Sequence, residues 1–344
     1  MASRSIFAIV AAGTFCTVIC LAFENSVAAG DSTNVAAVRR TIEKSLPFVE
    51  EKGLYWIEKK KCVSCHRVSL MTWSLSSAAR RGFDVDLAKL NEWIDWSIEK
   101  GIPQPEGDEP AATKNADGLT QQLLARREYP ASETRTESWI KYVDLITSAQ
   151  NGEGLWKPAG QLPSQKRKLA ETTDVSAVWH SIGLTRELNL EQNSDRQQKL
   201  KAAIVSATKR FSSRKEASST EWYVVRLLLA LEVRDDPALK MATTELLSLQ
   251  KPDGSWGWLK SDEGDALATG MALYALVKSN EATSVRNEAL EKATRFLIET
   301  QREDGSWAVK GTKEKKKNKV EETAVYWGTA WATIALLETL PVHE

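Results

Sequence analysis

The sequence predicts an all-α chain, a single α/α toroid of about six helical hairpins with an inner and an outer ring of helices, on three observations. First, a glycine turn recurs as Gln150-Asn-Gly-Glu-Gly-Leu-Trp156, Gln250-Lys-Pro-Asp-Gly-Ser-Trp256 and Gln301-Arg-Glu-Asp-Gly-Ser-Trp307, the last two 51 residues apart and the first 100 residues before the second. Second, each turn closes a charged helical stretch and precedes an apolar, Ala-rich one. Third, no period-two strand pattern competes with these helices. Asp-Gly or Glu-Gly supplies a residue tolerant of positive φ, while Gln and Trp can tie the turn to its neighbours.

The elements follow in order. Residues Ile6 to Phe23 carry no charged side chain, Arg4 precedes them, and Ser26-Val27-Ala28-Ala29 has the small residues of a cleavage site, so residues 1–29 read as a signal peptide. An uncleaved anchor is the alternative. Cys16 and Cys20 lie in this segment, preceded by Phe15 and Ile19 where a lipoprotein signal needs a small residue. No lipid anchor is expected, and the mature chain keeps two cysteines. Residues 30–344 then form the toroid. Its outer helices are expected over Val35–Lys60, Leu87–Lys100, Arg135–Gln150, Asp195–Phe211, Pro237–Gln250 and Ser284–Gln301. Their inner partners are expected over Leu70–Arg81, Gly118–Arg127, Val175–Leu188, Thr220–Val233, Ala266–Lys278 and Thr323–Leu340. In the sixth outer helix Leu290, Ala293 and Leu297 mark one buried face, whereas inner stretches such as Ala268 to Leu276 are apolar nearly all round, as a helix surrounded by helices must be. Pro47 is expected to kink or split the first helix.

Composition narrows the function. The chain has 46 Lys+Arg against 46 Asp+Glu, 42% hydrophobic residues, 4 Cys, 3 His and 13 Trp. An export signal aside, this is an ordinary globular composition with no global charge to recruit nucleic acid or to hold an anionic membrane, and no stable membrane insertion is expected after signal cleavage.

The repeats resemble the squalene-hopene cyclase and protein prenyltransferase superfamily, whose QW-type motifs are matched closely by Gln250 to Trp256 and Gln301 to Trp307 and more loosely by Gln150 to Trp156. That resemblance implies the toroid fold over essentially the mature chain. It does not carry over the chemistry. Cyclases use a D-x-D-D acid, and the nearest runs here, Asp84-Val85-Asp86 and Asp235-Asp236, do not fit. The prenyltransferase zinc set of Asp, Cys and His finds no cysteine outside the first hairpin. Whether the chain is an enzyme is therefore open.

Between the first outer and first inner helix stands Cys62-Val-Ser-Cys65-His66. This C-x-x-C-H resembles the attachment motif of c-type cytochromes: two thiols add across the haem vinyl groups, and the adjacent imidazole can reach the iron. The resemblance implies one covalent haem c, with Cys62 and Cys65 as thioethers and His66 as proximal iron ligand. A plain C-x-x-C disulfide and a zinc site are the alternatives. In toroids of this superfamily the turns from outer to inner helix share a rim with the cavity mouth, so a haem at this motif would sit over it. His180, six residues after Asp174, is a candidate distal ligand, with Met271 at similar depth and Trp331 and Arg226 at matching places.

The main reading is an exported, periplasmic or extracytoplasmic, c-type haem protein with an electron-transfer or haem-redox role. The alternatives are a cyclase-like or prenyltransferase-like enzyme or binder of an apolar isoprenoid or polycyclic ligand, its cavity lined by Trp179, Trp222, Tyr274 and Trp331, or a non-haem interaction toroid. The loop Lys310 to Lys319, with six lysines and one Glu, is a candidate docking point for an acidic redox partner.

Overall fold

The computed structural model describes residues 29–63, 67–103, 110–130, 132–211, 217–279 and 283–342, with side chains from residue 34 onward except those of residues 132, 133 and 210. Twelve α-helices are found among the described residues. The outer ones are α1 (Ala29–Tyr55), α3 (Leu87–Gly101), α5 (Thr136–Ser148), α7 (Ser194–Phe211), α9 (Asp236–Ser248) and α11 (Ser284–Thr300). The inner ones are α2 (Val68–Ala79), α4 (Ala116–Ala125), α6 (Leu169–Leu188), α8 (Thr220–Val233), α10 (Ala266–Ser279) and α12 (Glu322–Glu338). Each inner helix packs on the next, and α12 packs back on α2 and α1, so the ring closes.

The turn motifs do what their residue types allow. Gln150, Gln250 and Gln301 each donate Nε2 to the carbonyl of the turn glycine, at 2.8, 2.9 and 3.1 Å. The same nitrogens reach the following outer helix at Ala203, Ala289 and Thr41, at 2.9, 2.8 and 2.8 Å. The indoles of Trp156, Trp256 and Trp307 donate backward, to Ile146, Leu246 and Leu297 of the preceding outer helix. Each turn thus staples two outer helices. The Gln301 to Thr41 bond spans the seam between the ends of the chain.

Two expectations are corrected. Pro47 does not split the first helix, since α1 runs unbroken across it. The proline is exposed, so the carbonyl of Glu43 that loses its amide partner can bond water instead. Inner helix α6 also begins before Val175, because Glu171 in its first turn accepts hydrogen bonds from the amides and hydroxyls of Ser218 and Ser219 at 2.6–2.9 Å. That interaction comes from the neighbouring hairpin, where local polarity gives no hint of it.

The ring is plugged on its axis and laced at one end. Trp73, Tyr274 and Trp331 meet edge to face with ring centroids 5.6–5.7 Å apart, and Trp179 lies 6.0 Å from Trp331. At the C-terminal ends of the inner helices a belt of ion pairs runs around the circle: Arg81 with Glu338 at 2.9 Å, Lys278 with Glu338 at 2.7 Å, Arg186 with Glu232 at 2.6 Å, and Arg126 with Glu187. The N-terminal rim of the inner helices carries the cavity.

Candidate functional site at the inner-helix rim

A pocket of about 60 Å³ opens between the N-terminal halves of α4, α6, α8 and α12. Asp117, Thr120, Ser176 and His180 form its polar wall, Trp179 and Trp327 its aromatic one. These side chains converge because inner-helix residues three and four apart share a face, as Asp117 and Thr120 do on α4, and Ser176, Trp179 and His180 on α6. Across the mouth, Arg167 pairs with Glu221 at 2.8 Å, and Glu221 accepts from Trp179 Nε1 at 2.8 Å.

The central pair is Asp117 and His180. Burial raises the Asp117 carboxyl from 3.8 to about 6 despite hydrogen bonds from Ser176 and the Ala159 amide, and the group keeps 16% of its surface open toward the pocket. His180 is almost wholly buried, and burial lowers it to about 3. Its Nδ1 meets Thr120 Oγ1 at 2.5 Å, and its ring lies 4.7 Å from that of Trp156. Among the described residues Nε2 has no hydrogen-bond partner, and it stands 3.6 Å from Asp117 Oδ1. The order of the two affinities is thus inverted. Near pH 5 the proton rests on the carboxyl, and the imidazole is neutral with an unused nitrogen.

Other residues singled out in the sequence fall in different places. Cys62 is exposed on this same rim, whereas Cys65, His66 and His343 lie outside the described residues, as does most of the signal segment. The C-x-x-C-H loop leads into α2, where Arg67 reaches Glu322 of α12 at 2.5 Å and Ser69 reaches the pocket residue Gln121 at 3.2 Å. Trp179 lines the pocket as expected. Trp222 does not: it packs on Phe211 of α7 at 4.3 Å, between the two helix rings. Tyr274 and Trp331 fill the axis without lining the pocket, Met271 is buried in the core, and Arg226 turns outward to pair with Glu245. Sequence reasoning missed Asp117, Thr120, Ser176 and Trp327. Asp117 carried a signal, since it stands in the first turn of an inner helix as Asp174 nearly does in the next.

Among the described residues no group of three or more His, Cys, Asp and Glu could hold a metal ion, and no helix is long and apolar enough to cross a membrane. The architecture is an α/α toroid. A family model described as the A-macroglobulin TED domain matches residues 233–344, the last third of the chain. No curated protein matches the sequence. Among solved structures, the type II terpene cyclase MstE from Scytonema is similar with 16% identity and a TM-score of 0.56, over 88% of this chain and 99% of that one. A variant of the cyclase holding geranylgeranyl dihydroxybenzoate, its substrate, superposes with a TM-score of 0.56 at 14% identity, over 89% of this chain and 98% of that one. The unsaturated glucuronyl hydrolase of Bacillus sp. GL1 is similar with 11% identity and a TM-score of 0.54, over 80% of this chain and 86% of that one. At these identities the likeness is one of fold.

Proposed function

We propose that the chain is a cyclase-like toroid that binds the end of an apolar, isoprenoid-like ligand in the rim pocket, with Asp117 as proton donor. The observation that carries this reading is the inverted Asp117–His180 pair beside Trp179 and Trp327. A buried carboxyl that keeps its proton to about pH 6 is a general acid. Aromatic faces at such a point favour an apolar chain and any cationic charge that protonation creates on it. With a pocket of about 60 Å³ and the axis filled by Trp73, Tyr274 and Trp331, the end of a ligand would enter and the remainder would lie across the mouth.

The test uses geranylgeraniol as probe, followed by quenching of tryptophan fluorescence and by analysis of products. Binding is expected to weaken when Trp179 becomes alanine. Any turnover is expected to fall as pH rises through about 6, where Asp117 loses its proton, and to drop about 100-fold or more in Asp117→Asn. Binding that is insensitive to Trp179→Ala, or turnover that is insensitive to Asp117→Asn, would overturn the reading.

The same residues set a stability signature. Asp117 is raised in the fold, so its contribution is complete below about pH 4 and is lost as pH rises toward 6. His180 is lowered, so its contribution is complete above pH 6.5 and is lost as pH falls toward 3. In Asp117→Asn the first effect vanishes. The variant should lose stability more steeply than the parent between pH 6 and pH 4, read from urea midpoints across that window.

A second reading, an exported protein carrying one covalent haem c with an electron-transfer role, is favoured by the placement of Cys62. Its thiol is exposed at the turn that leads into α2, so a macrocycle attached there would meet solvent and not packed core. Cys62 and Cys65 would hold the macrocycle and His66 its iron, and the group would supply one-electron chemistry. Coexpression with haem-maturation proteins is expected to add the mass of one haem under denaturing conditions, and Cys62→Ser with Cys65→Ser to remove it. A chain that never gains this mass excludes haem and leaves the disulfide form of the motif.

A further inference from the structure

The chain is neutral overall, yet one stretch of its surface is not. Six lysines lie within Lys310 to Lys319, and this segment is a closed, hydrogen-bonded loop rather than a free tail. Gly311 N donates to Lys319 O at 2.9 Å, Lys316 N to Lys313 O at 2.9 Å, and Lys166 N to Thr312 O at 2.8 Å. Thr312 and Thr323, at its base and just beyond its end, line the pocket. Three of the lysines have carboxylate partners: Lys310 with Glu263 at 2.7 Å, Lys313 with Glu321 at 3.5 Å, and Lys317 with Glu314. Lys315, Lys316 and Lys319 are exposed and have no ion pair among the described residues.

A second cluster stands nearby. Lys59, Lys60 and Lys61 are exposed just before Cys62. The Lys60 ammonium lies 5.9 Å from the Trp56 ring, which also carries Arg67 at 4.9 Å, and Arg67 pairs with Glu322 next to Glu321. The two clusters therefore flank one stretch of rim at the pocket mouth. Ordering like charges at close range costs Coulomb energy that a mobile loop would avoid.

We propose that this rim is a docking surface for the acidic face of another protein, seated over the pocket mouth and Cys62. A flexible acidic polypeptide fits better than duplex DNA, because its carboxylates can be set one by one against the lysines around Glu314, Glu321 and Glu322, whereas phosphates at fixed spacing cannot avoid those carboxylates. A bilayer fits less well, since Tyr55 and Val320 are the exposed large hydrophobic side chains beside the two clusters. The inference stands on charge and geometry and does not depend on which reading of the pocket holds.

The test uses the full chain with labelled poly-L-glutamate as acidic polypeptide, duplex DNA and phosphatidylserine vesicles as competing arms, and anisotropy at several salt concentrations. Poly-L-glutamate is expected to bind at low salt and to be displaced as salt rises. The triple variant Lys315→Glu, Lys316→Glu, Lys319→Glu should weaken binding about tenfold or more. The triple variant Lys44→Glu, Lys201→Glu, Lys240→Glu, with the same change in net charge on outer helices, should leave it near the parent. Zero-length carbodiimide cross-links should concentrate in residues 313–319 and 59–61. Equal weakening by both variants, cross-links spread over all lysines, or tighter binding of DNA or vesicles than of poly-L-glutamate would each overturn the proposal. Thermal melting of both variants separates lost docking from lost folding.

Discussion

Replacing Trp331 with alanine is expected to lower the unfolding free energy by about 3–5 kcal/mol, the range for truncating a fully packed tryptophan. Trp331 is 2% exposed and touches Trp73, Tyr274 and Trp179 on the axis. Four inner helices, α2, α6, α10 and α12, thus meet through one ring. They cannot collapse inward together, because Gly270 of α10 already lies against the Trp331 backbone with no room for a side chain. The cavity should therefore persist, and it is apolar enough to stay dry. Indole or benzene added to the variant should restore part of the lost stability by mass action, which denaturant midpoints with and without ligand would measure. A loss below about 1 kcal/mol would show that the axis is loosely packed and that the ring is held by its outer staples.

Gly305→Ala is expected to cost about 2–5 kcal/mol, in two parts. The residue has φ +81°, where a Cβ adds roughly 1–2 kcal/mol. Its added methyl would also press on the carbonyl of Lys44 in α1, an overpacking of about 1–3 kcal/mol against backbone that cannot rotate away. Gly160 separates the two terms. It has φ +58° with nothing near its missing side chain, so Gly160→Ala should cost only the first. Because the Gly305 turn also carries the Gln301 to Thr41 bond, its variant should in addition loosen the seam, seen as faster amide exchange at the α1–α11 contact. Equal losses in the two variants would mean that close approach at the seam contributes nothing.

All twelve helices were legible in the sequence, and the reason lies in the turns. A Gln, a positive-φ glycine and a Trp at constant spacing form a local unit whose hydrogen bonds go to the helices on either side, so spacing alone declares the repeat. Charged outer stretches against apolar inner ones then state which ring each helix joins. Whether Pro47 splits its helix depends on exposure, which a linear reading does not contain. Glu171 was passed over because its partners Ser218 and Ser219 belong to another hairpin.

The pocket was legible only in part. His180 and Trp179 were found by matching depth along the inner helices, since helical periodicity carries that far. Trp222 was misassigned because residues on neighbouring inner helices share a depth but not a rotation about the helix axis, and rotation decides between cavity and interlayer packing. Asp117 shows in sequence only as an acid in the first turn of an inner helix, one carboxylate among 46 acidic residues. Its raised proton affinity arises from burial between four helices that are distant along the chain.

By itself, then, the sequence determined the toroid, the order of its helices and the position of Cys62-Val-Ser-Cys65-His66 on an outer-to-inner turn. Those features follow from periodicity and short-range hydrogen bonds, which are local. Tertiary structure alone decided that the axis is filled by Trp73, Tyr274 and Trp331 and that Asp117 and His180 face each other 3.6 Å apart. Packing, desolvation and surface potential depend on which residues closure brings together, and closure joins residues far apart along the chain.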